Sequence, residues 1–168
     1  MVSQDYRMWF TIRDPKRCVD CKQLHGKIYH RRDRIVPSMP LHPYCRCFLQ
    51  WLDLVIAGTA TSLGTNGADW WLKNNGRLPP YYISVQAAKA RGWNAALGNL
   101  GIVCPGKMLQ RGVYLNRNGH LPTARGRIWY EADIEYVDGF RGAERILYSS
   151  DGLIFITKDH YQTFIEVK

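Results

Sequence analysis

Four side chains in the C-terminal half of the sequence have the makings of acid–base chemistry on a phosphodiester: Glu131, Arg141, Arg145 and His160. A carboxylate can take a proton from an attacking hydroxyl, and an imidazole can give one to a leaving oxygen. Guanidiniums can hold a phosphate and the charge that builds on it. The same residues also have a plainer reading. Glu131 and Arg145 could form a cross-strand ion pair on a surface sheet, with His160 as an ordinary loop residue.

The surrounding pattern says how these groups would meet. Ile128, Tyr130, Ala132, Ile134 and Tyr136 share one face of a strand, and Arg127, Trp129, Glu131, Asp133 and Glu135 share the other. RILYSSDGLIFIT, from Arg145 to Thr157, reads as a hairpin around Ser150-Asp151-Gly152. YQTFIEVK closes the chain as a last strand, with His160 just before it. Upstream, ADWWLKNNGRLP reads as a helix ended by Gly76, and Ser84 caps a second helix that Gly92 ends. Asn94 to Leu100 predicts one more turn. The expectation is an α+β domain, N-terminal helices packed on an antiparallel sheet. Its apolar face would meet the helices and its polar face would carry the reactive groups.

The first 56 residues differ in texture. Cys18, Cys21, Cys45 and Cys47 cluster there with His25, His30 and His42, while Cys104 stands apart. Cys-x-x-Cys with Cys-x-Cys suits a four-thiolate zinc site without an open position, hence structural, and His42 could replace one thiolate. Two alternatives stay open: disulfides, if the protein acts outside a cell, and free thiols. Cys104 is expected to be a buried thiol, and His25 and His30 to lie on the surface. Residues 57–67, AGTATSLGTNG, have linker composition. The organisation expected is therefore a small Cys/His-rich module over 1–56, a linker over 57–67 and a larger domain over 68–168.

The chain has 168 residues, with 23 Lys+Arg against 14 Asp+Glu, a formal charge of +9 and a pI near 9.5. That balance suits a polyanionic partner such as RNA. Ten basic and five acidic residues lie in 1–56, thirteen and nine in 57–168, so both parts are basic. The longest apolar run, Trp51 to Gly58, is broken by Asp53 and falls short of the roughly 20 residues that cross a bilayer. The opening residues lack a signal-peptide pattern. Neither membrane insertion nor export through a signal peptide is expected, so secretion or delivery would take another route, unless the sequence is an excerpt of a longer chain. Residues 68–168 lack the clustered carboxylates of a metal-dependent DNA nuclease.

From about Ala68 to Lys168 the sequence closely resembles the barnase-like, guanyl-preferring bacterial ribonucleases. The resemblance is carried by GR-x-W-x-EADI (Gly126 to Ile134), GFR (Gly139 to Arg141), RILYSSD (Arg145 to Asp151), DHYQTF (Asp159 to Phe164) and the Asn116-Arg117 pair. It implies the microbial ribonuclease fold and cleavage of RNA without a cofactor. It further implies Glu131 as general base, His160 as general acid, Arg141 and Arg145 on the scissile phosphate, and Tyr161 lining the site. Asn116, Arg117 and Asn118 would shape the base pocket. The family has a lysine where this chain has Val85, a glutamate where it has Asn118 and a lysine where it has His120. These departures bear on rate and base preference, since asparagine cannot take a bidentate pair from a guanine edge. His120 is expected to be exposed.

CVDCKQLHGKIY and PLHPYCRCF, between Trp9 and Trp51, resemble the C-terminal segment of Mu-like phage minor head proteins. A head-protein-like module joined to a ribonuclease implies a phage-related or delivered toxin, with a barstar-like acidic inhibitor as the protecting partner. The alternative is a catalytically weakened RNA-binding or virion structural protein that keeps the ribonuclease fold.

Overall fold

The computed structural model describes residues 3–35 and 37–168. The chain begins with β1 (Tyr6–Thr11), α1 (Val19–Leu24), β2 (Ile28–His30) and β3 (Cys47–Trp51), then β4 (Asp53–Val55) and α2 (Ala68–Asn75). It continues through β5 (Tyr82–Ser84), α3 (Val85–Ala90), α4 (Leu100–Val103) and β6 (Met108–Tyr114). It ends with β7 (Trp129–Asp133), β8 (Arg145–Ser149), β9 (Ile154–Thr157) and β10 (Ile165–Val167). Among the described residues these strands make two sheets, β2-β1-β3 and β4-β10-β9-β8-β7-β6-β5. The second is antiparallel from β10 to β6 and gains a parallel strand at each edge, β4 beside β10 and β5 beside β6. The fold is α+β, as the pattern predicts.

Local signals set the helix ends. Ser84 Oγ accepts from Ala87 N at 3.1 Å and starts α3. Gly76 takes the left-handed conformation (φ 65°) and returns its N–H to Leu72 O, closing α2. The turn expected at Asn94 to Leu100 is a 3-10 turn over Ala95–Leu97 that leads into α4.

Residues 57–67 differ from the expected linker. Asp69 is fully buried (0 % exposed) and gathers this stretch around its carboxylate. Gly58 N and Ala60 N donate to Oδ2 at 2.6 and 3.0 Å, and Thr61 Oγ1 donates to Oδ1 at 3.0 Å. The small residues are there for close approach: a Cβ on Gly67 would fall 2.1 Å from Thr61 Oγ1. β4 also precedes this stretch, so the larger sheet begins at Asp53, one residue after β3.

Each sheet face has its own core. Ala132, Ile134, Ile146, Ile154 and Ile156 pack under Ala68 and Leu72 of α2. The opposite face is not polar throughout, as the alternation alone had suggested. It also presents Trp129, and Leu147 and Phe155 in the same cross-strand row as Glu131, and Tyr6, Met8, Ile28 and Leu52 of the N-terminal module cover them, with Leu121 and Phe164. Tyr6 meets Phe155 edge-on, centroids 5.2 Å apart. Each such side chain taken from water contributes roughly 1.5–3 kcal/mol, so the module is part of the larger domain's core. Lys168 Nζ ties the two ends of the chain by donating to Ser3 O and Asp5 Oδ2 at 2.6 and 2.5 Å. His25 is buried rather than exposed: its Nδ1 accepts from Thr11 N at 3.1 Å, and burial holds its pKa below the ordinary value. No helix among the described residues is long and apolar enough to cross a membrane.

Candidate active site

The same face also carries charge. Glu131 and Asp133 are two residues apart on β7 and point the same way. Arg145 is the cross-strand partner of Asp133. Its Nε lies 3.3 Å from Asp133 Oδ1 and 3.5 Å from Glu131 Oε1, and its Nη1 donates to Glu144 O at 2.7 Å. Arg141, from the β7–β8 loop, grips both oxygens of Asp133 through Nε and Nη2, each at 2.5 Å. That carboxylate raises the pKa of Arg141 above its ordinary value. Glu131 and Asp133 are 7 % and 1 % exposed. Buried carboxylates are tolerated only when paired in this way.

Tyr161 Oη donates to Glu131 Oε1 at 2.5 Å. Burial, and after it the Glu131 carboxylate, push the Tyr161 pKa up, so the phenol keeps its proton. The Tyr161 ring stacks on Tyr114 at 5.8 Å, and the His160 ring lies 4.9 Å from it at a tilt. His160 and Tyr161 are both held at positive φ, 56° and 67°. The loop affords this because Asp159 anchors it, accepting from Thr157 Oγ1, Gln162 N and Thr163 N at 3.0, 3.1 and 2.9 Å. Strained backbone held by its surroundings is a mark of functional loops. Exposed His160 lines a cleft of about 530 Å³ with Arg141, Arg145, Trp93 and Phe140. A neighbouring cleft of about 440 Å³ shares Arg141 and adds Val85, Lys89 and Arg111. A larger cavity of about 880 Å³, against Trp71, Tyr81 and Tyr136, contains none of these reactive groups.

The predicted base-binding loop divides in two. Asn116, at φ 46°, braces the loop: its Nδ2 donates to Leu121 O at 2.9 Å and its Oδ1 accepts from Leu121 N at 3.0 Å. Arg117 and Asn118 are exposed, and Asn118 Nδ2 lies 3.3 Å from His120 Nδ1. His120 is not exposed as expected. It sits half-buried under Gly26, where a Cβ would come within 3.2 Å of its ring, and its carbonyl accepts from Ile28 N at 2.7 Å. The module thus touches the loop that carries Asn116 to His120, and it also reaches the loop that carries His160 through an Arg13–Gln162 hydrogen bond.

Sequence reasoning missed two residues here. Asp133 organises both arginines, and its place two positions after Glu131 was a usable signal. Arg111 Nη1 lies 4.0 Å from Glu131 Oε1, and its approach depends on a break in strand register that local sequence does not announce.

The cysteines of the module converge, and none of the five in the chain forms a disulfide. His42 Nε2 lies 3.2 Å from Cys18 Sγ and 3.3 Å from Cys21 Sγ, and Cys21 Sγ lies 3.9 Å from Cys45 Sγ. Cys18, Cys21 and His42 form one close set of donors, and Cys21, Cys45 and Cys47 another. Zinc bonds of about 2.3 Å to sulfur and 2.0–2.1 Å to nitrogen put tetrahedral donors roughly 3.6–3.8 Å apart, so the donors fit the ion. His42 Nδ1 contacts Pro43 O at 2.8 Å. A proton on that nitrogen would leave Nε2 as the ligating lone pair. Cys104 is buried in the core between α3 and α4, as expected.

A buried carboxylate ion-paired to an arginine that shares an open cleft with an exposed imidazole is equipment for breaking a phosphodiester by proton transfer. The comparisons with known proteins agree with that class. The ribonuclease family model matches residues 69–168, and the chain belongs to that family. Ribonuclease of Heyndrickxia coagulans is 54 % identical over 92 residues, covering 55 % of this chain and 84 % of that protein. Ribonuclease of Bacillus intermedius is likewise 54 % identical over 92 residues, covering 55 % of this chain and 57 % of that protein. The activity that goes with this family is endonucleolytic cleavage of RNA.

Proposed function

We propose that the protein cleaves single-stranded RNA without a metal, through a 2′,3′-cyclic phosphate. Glu131 takes the proton from the 2′-hydroxyl, whose oxygen bonds to phosphorus. The bond to the 5′-oxygen breaks, and His160 gives that oxygen its proton. Water then opens the ring with the two roles exchanged. Arg141 and Arg145 bind the phosphate, Tyr161 lines the site beside Glu131, and Asn116, Arg117 and Asn118 shape the base pocket. The observation that carries this reading is the contact of Tyr161 and Arg145 with Glu131 beside the cleft that Arg141, Arg145 and His160 line. Incubating the protein with RNA in EDTA should give cyclic-phosphate ends. His160→Ala and Glu131→Gln should each lose about 10²–10⁴-fold in rate, and His160→Ala, at an exposed position, should keep the wild-type melting temperature. Cleavage that survives His160→Ala, or that needs magnesium, would overturn the mechanism.

The module is read as a structural zinc site. Cys18, Cys21 and His42, with Cys45 or Cys47 as the fourth ligand, would hold the ion in a closed tetrahedron. The donor spacings support this reading. The basic charge of the whole chain and the head-protein-like cysteine pattern support a delivered or phage-related toxin that acts in a target-cell cytoplasm. A barstar-like acidic protein would be its inhibitor.

A further inference from the structure

We propose that Arg111 is a phosphate-binding residue of this groove, its guanidinium taking a non-bridging oxygen of the phosphodiester being cleaved. The inference rests on the ribonuclease mechanism above and adds a residue to it. Backbone, position and free donors all point the same way.

The backbone comes first. In the β6–β7 pairing Gln110 faces Ala132 and Gly112 faces Glu131, so Arg111 is the extra residue of a bulge. Gly112 lies at φ 81°, a conformation a side chain would resist. Bulges bend a strand and re-aim the side chain they carry, and they concentrate beside active sites. Here the bulge sits directly opposite Glu131.

Position follows from it. Arg111 Nη1 stands 4.0 Å from Glu131 Oε1 and lines the cleft that also holds Arg141. A phosphate held between Glu131 and Arg141 would lie within reach of Arg111. Val85, on the same cleft, brings no charge.

The donors complete the case. Arg141 spends two donors on Asp133, and the Arg145 side chain is 6 % exposed and shared among Asp133, Glu131 and Glu144 O. Two carboxylates and two arginines cancel before any substrate arrives. The Arg111 side chain is 45 % exposed and makes no hydrogen bond among the described residues. It supplies the excess positive charge that a pentacovalent phosphorane dianion needs, and its planar fork can give two parallel hydrogen bonds to phosphate oxygens.

The test uses the full chain and a dinucleoside monophosphate, which has a single phosphodiester. Arg111→Ala should lower kcat/KM by about 10²–10³-fold, chiefly through kcat. Arg111→Lys should recover part of the loss, and Lys73→Ala, an exposed cation of α2 that lines neither cleft, should behave as wild type. Arg111→Ala should also weaken binding of a nucleoside 3′-monophosphate, followed by NMR titration, with the melting temperature unchanged. Full dinucleoside cleavage by Arg111→Ala, in an assay where His160→Ala is dead, would overturn the assignment and leave the mechanism standing. A loss confined to KM on long RNA would overturn it too, because the contact would then be to a distant phosphate. Absence of cleavage by the wild type would instead fail the mechanism, and the nucleotide titration would still decide the role of Arg111 in phosphate binding.

Discussion

Tyr161 joins two parts of the site in one side chain. Its ring packs against the core shared by module and sheet, and its hydroxyl donates to Glu131. Its raised pKa keeps that donor protonated at neutral pH, so Glu131 has a standing hydrogen-bond donor. Tyr161→Phe keeps the ring and removes the hydrogen bond. A hydrogen bond to a charged group is worth about 1.5–3 kcal/mol, so kcat/KM should fall by about ten- to a hundredfold, and the melting temperature should drop too because the buried Glu131 carboxylate loses a donor. Steady-state kinetics on the dinucleoside would check this, and an unchanged kcat/KM would mean that Arg145 alone orients Glu131.

The N-terminal module makes a prediction of its own. If zinc closes Cys18, Cys21, His42 and a fourth thiolate, elemental analysis should find about one zinc per chain. Stripping it at neutral pH should lower the melting temperature of the whole protein, because Tyr6, Met8 and Ile28 belong to the core of the larger sheet. A metal-free chain with the same melting temperature would sink the reading. Helix caps at Ser84 and Gly76 and the hairpin at Asp151-Gly152 were legible in the sequence, because each depends on a few adjacent residues. Glu131, Arg141, Arg145 and His160 were legible through motifs. The rest depended on distant partners. Residues 57–67 look like a linker until Asp69 is placed among them. Trp129, Leu147 and Phe155 look like a dry part of a polar face until β1 lies across them. Arg111 gave no sign, since a bulge is fixed by pairing between strands.

Charge acts over the molecule as a whole. A net charge of +9 draws polyanions from a distance, and it would draw an acidic inhibitor as readily as RNA. A barstar-like protein in excess should therefore abolish cleavage, with an association rate that falls steeply as salt is raised. Unchanged cleavage at saturating inhibitor would remove that partner from the account. The shared core also has a consequence for how the chain matures on the ribosome. About 150 residues separate Tyr6 and Met8 from the rings that shelter them, Phe155 and Phe164. At about 5–20 residues per second, the nascent chain spends many seconds with this greasy surface bare. The layer that carries Tyr6 and Met8 can settle into place only after Phe155 and Phe164 have been made.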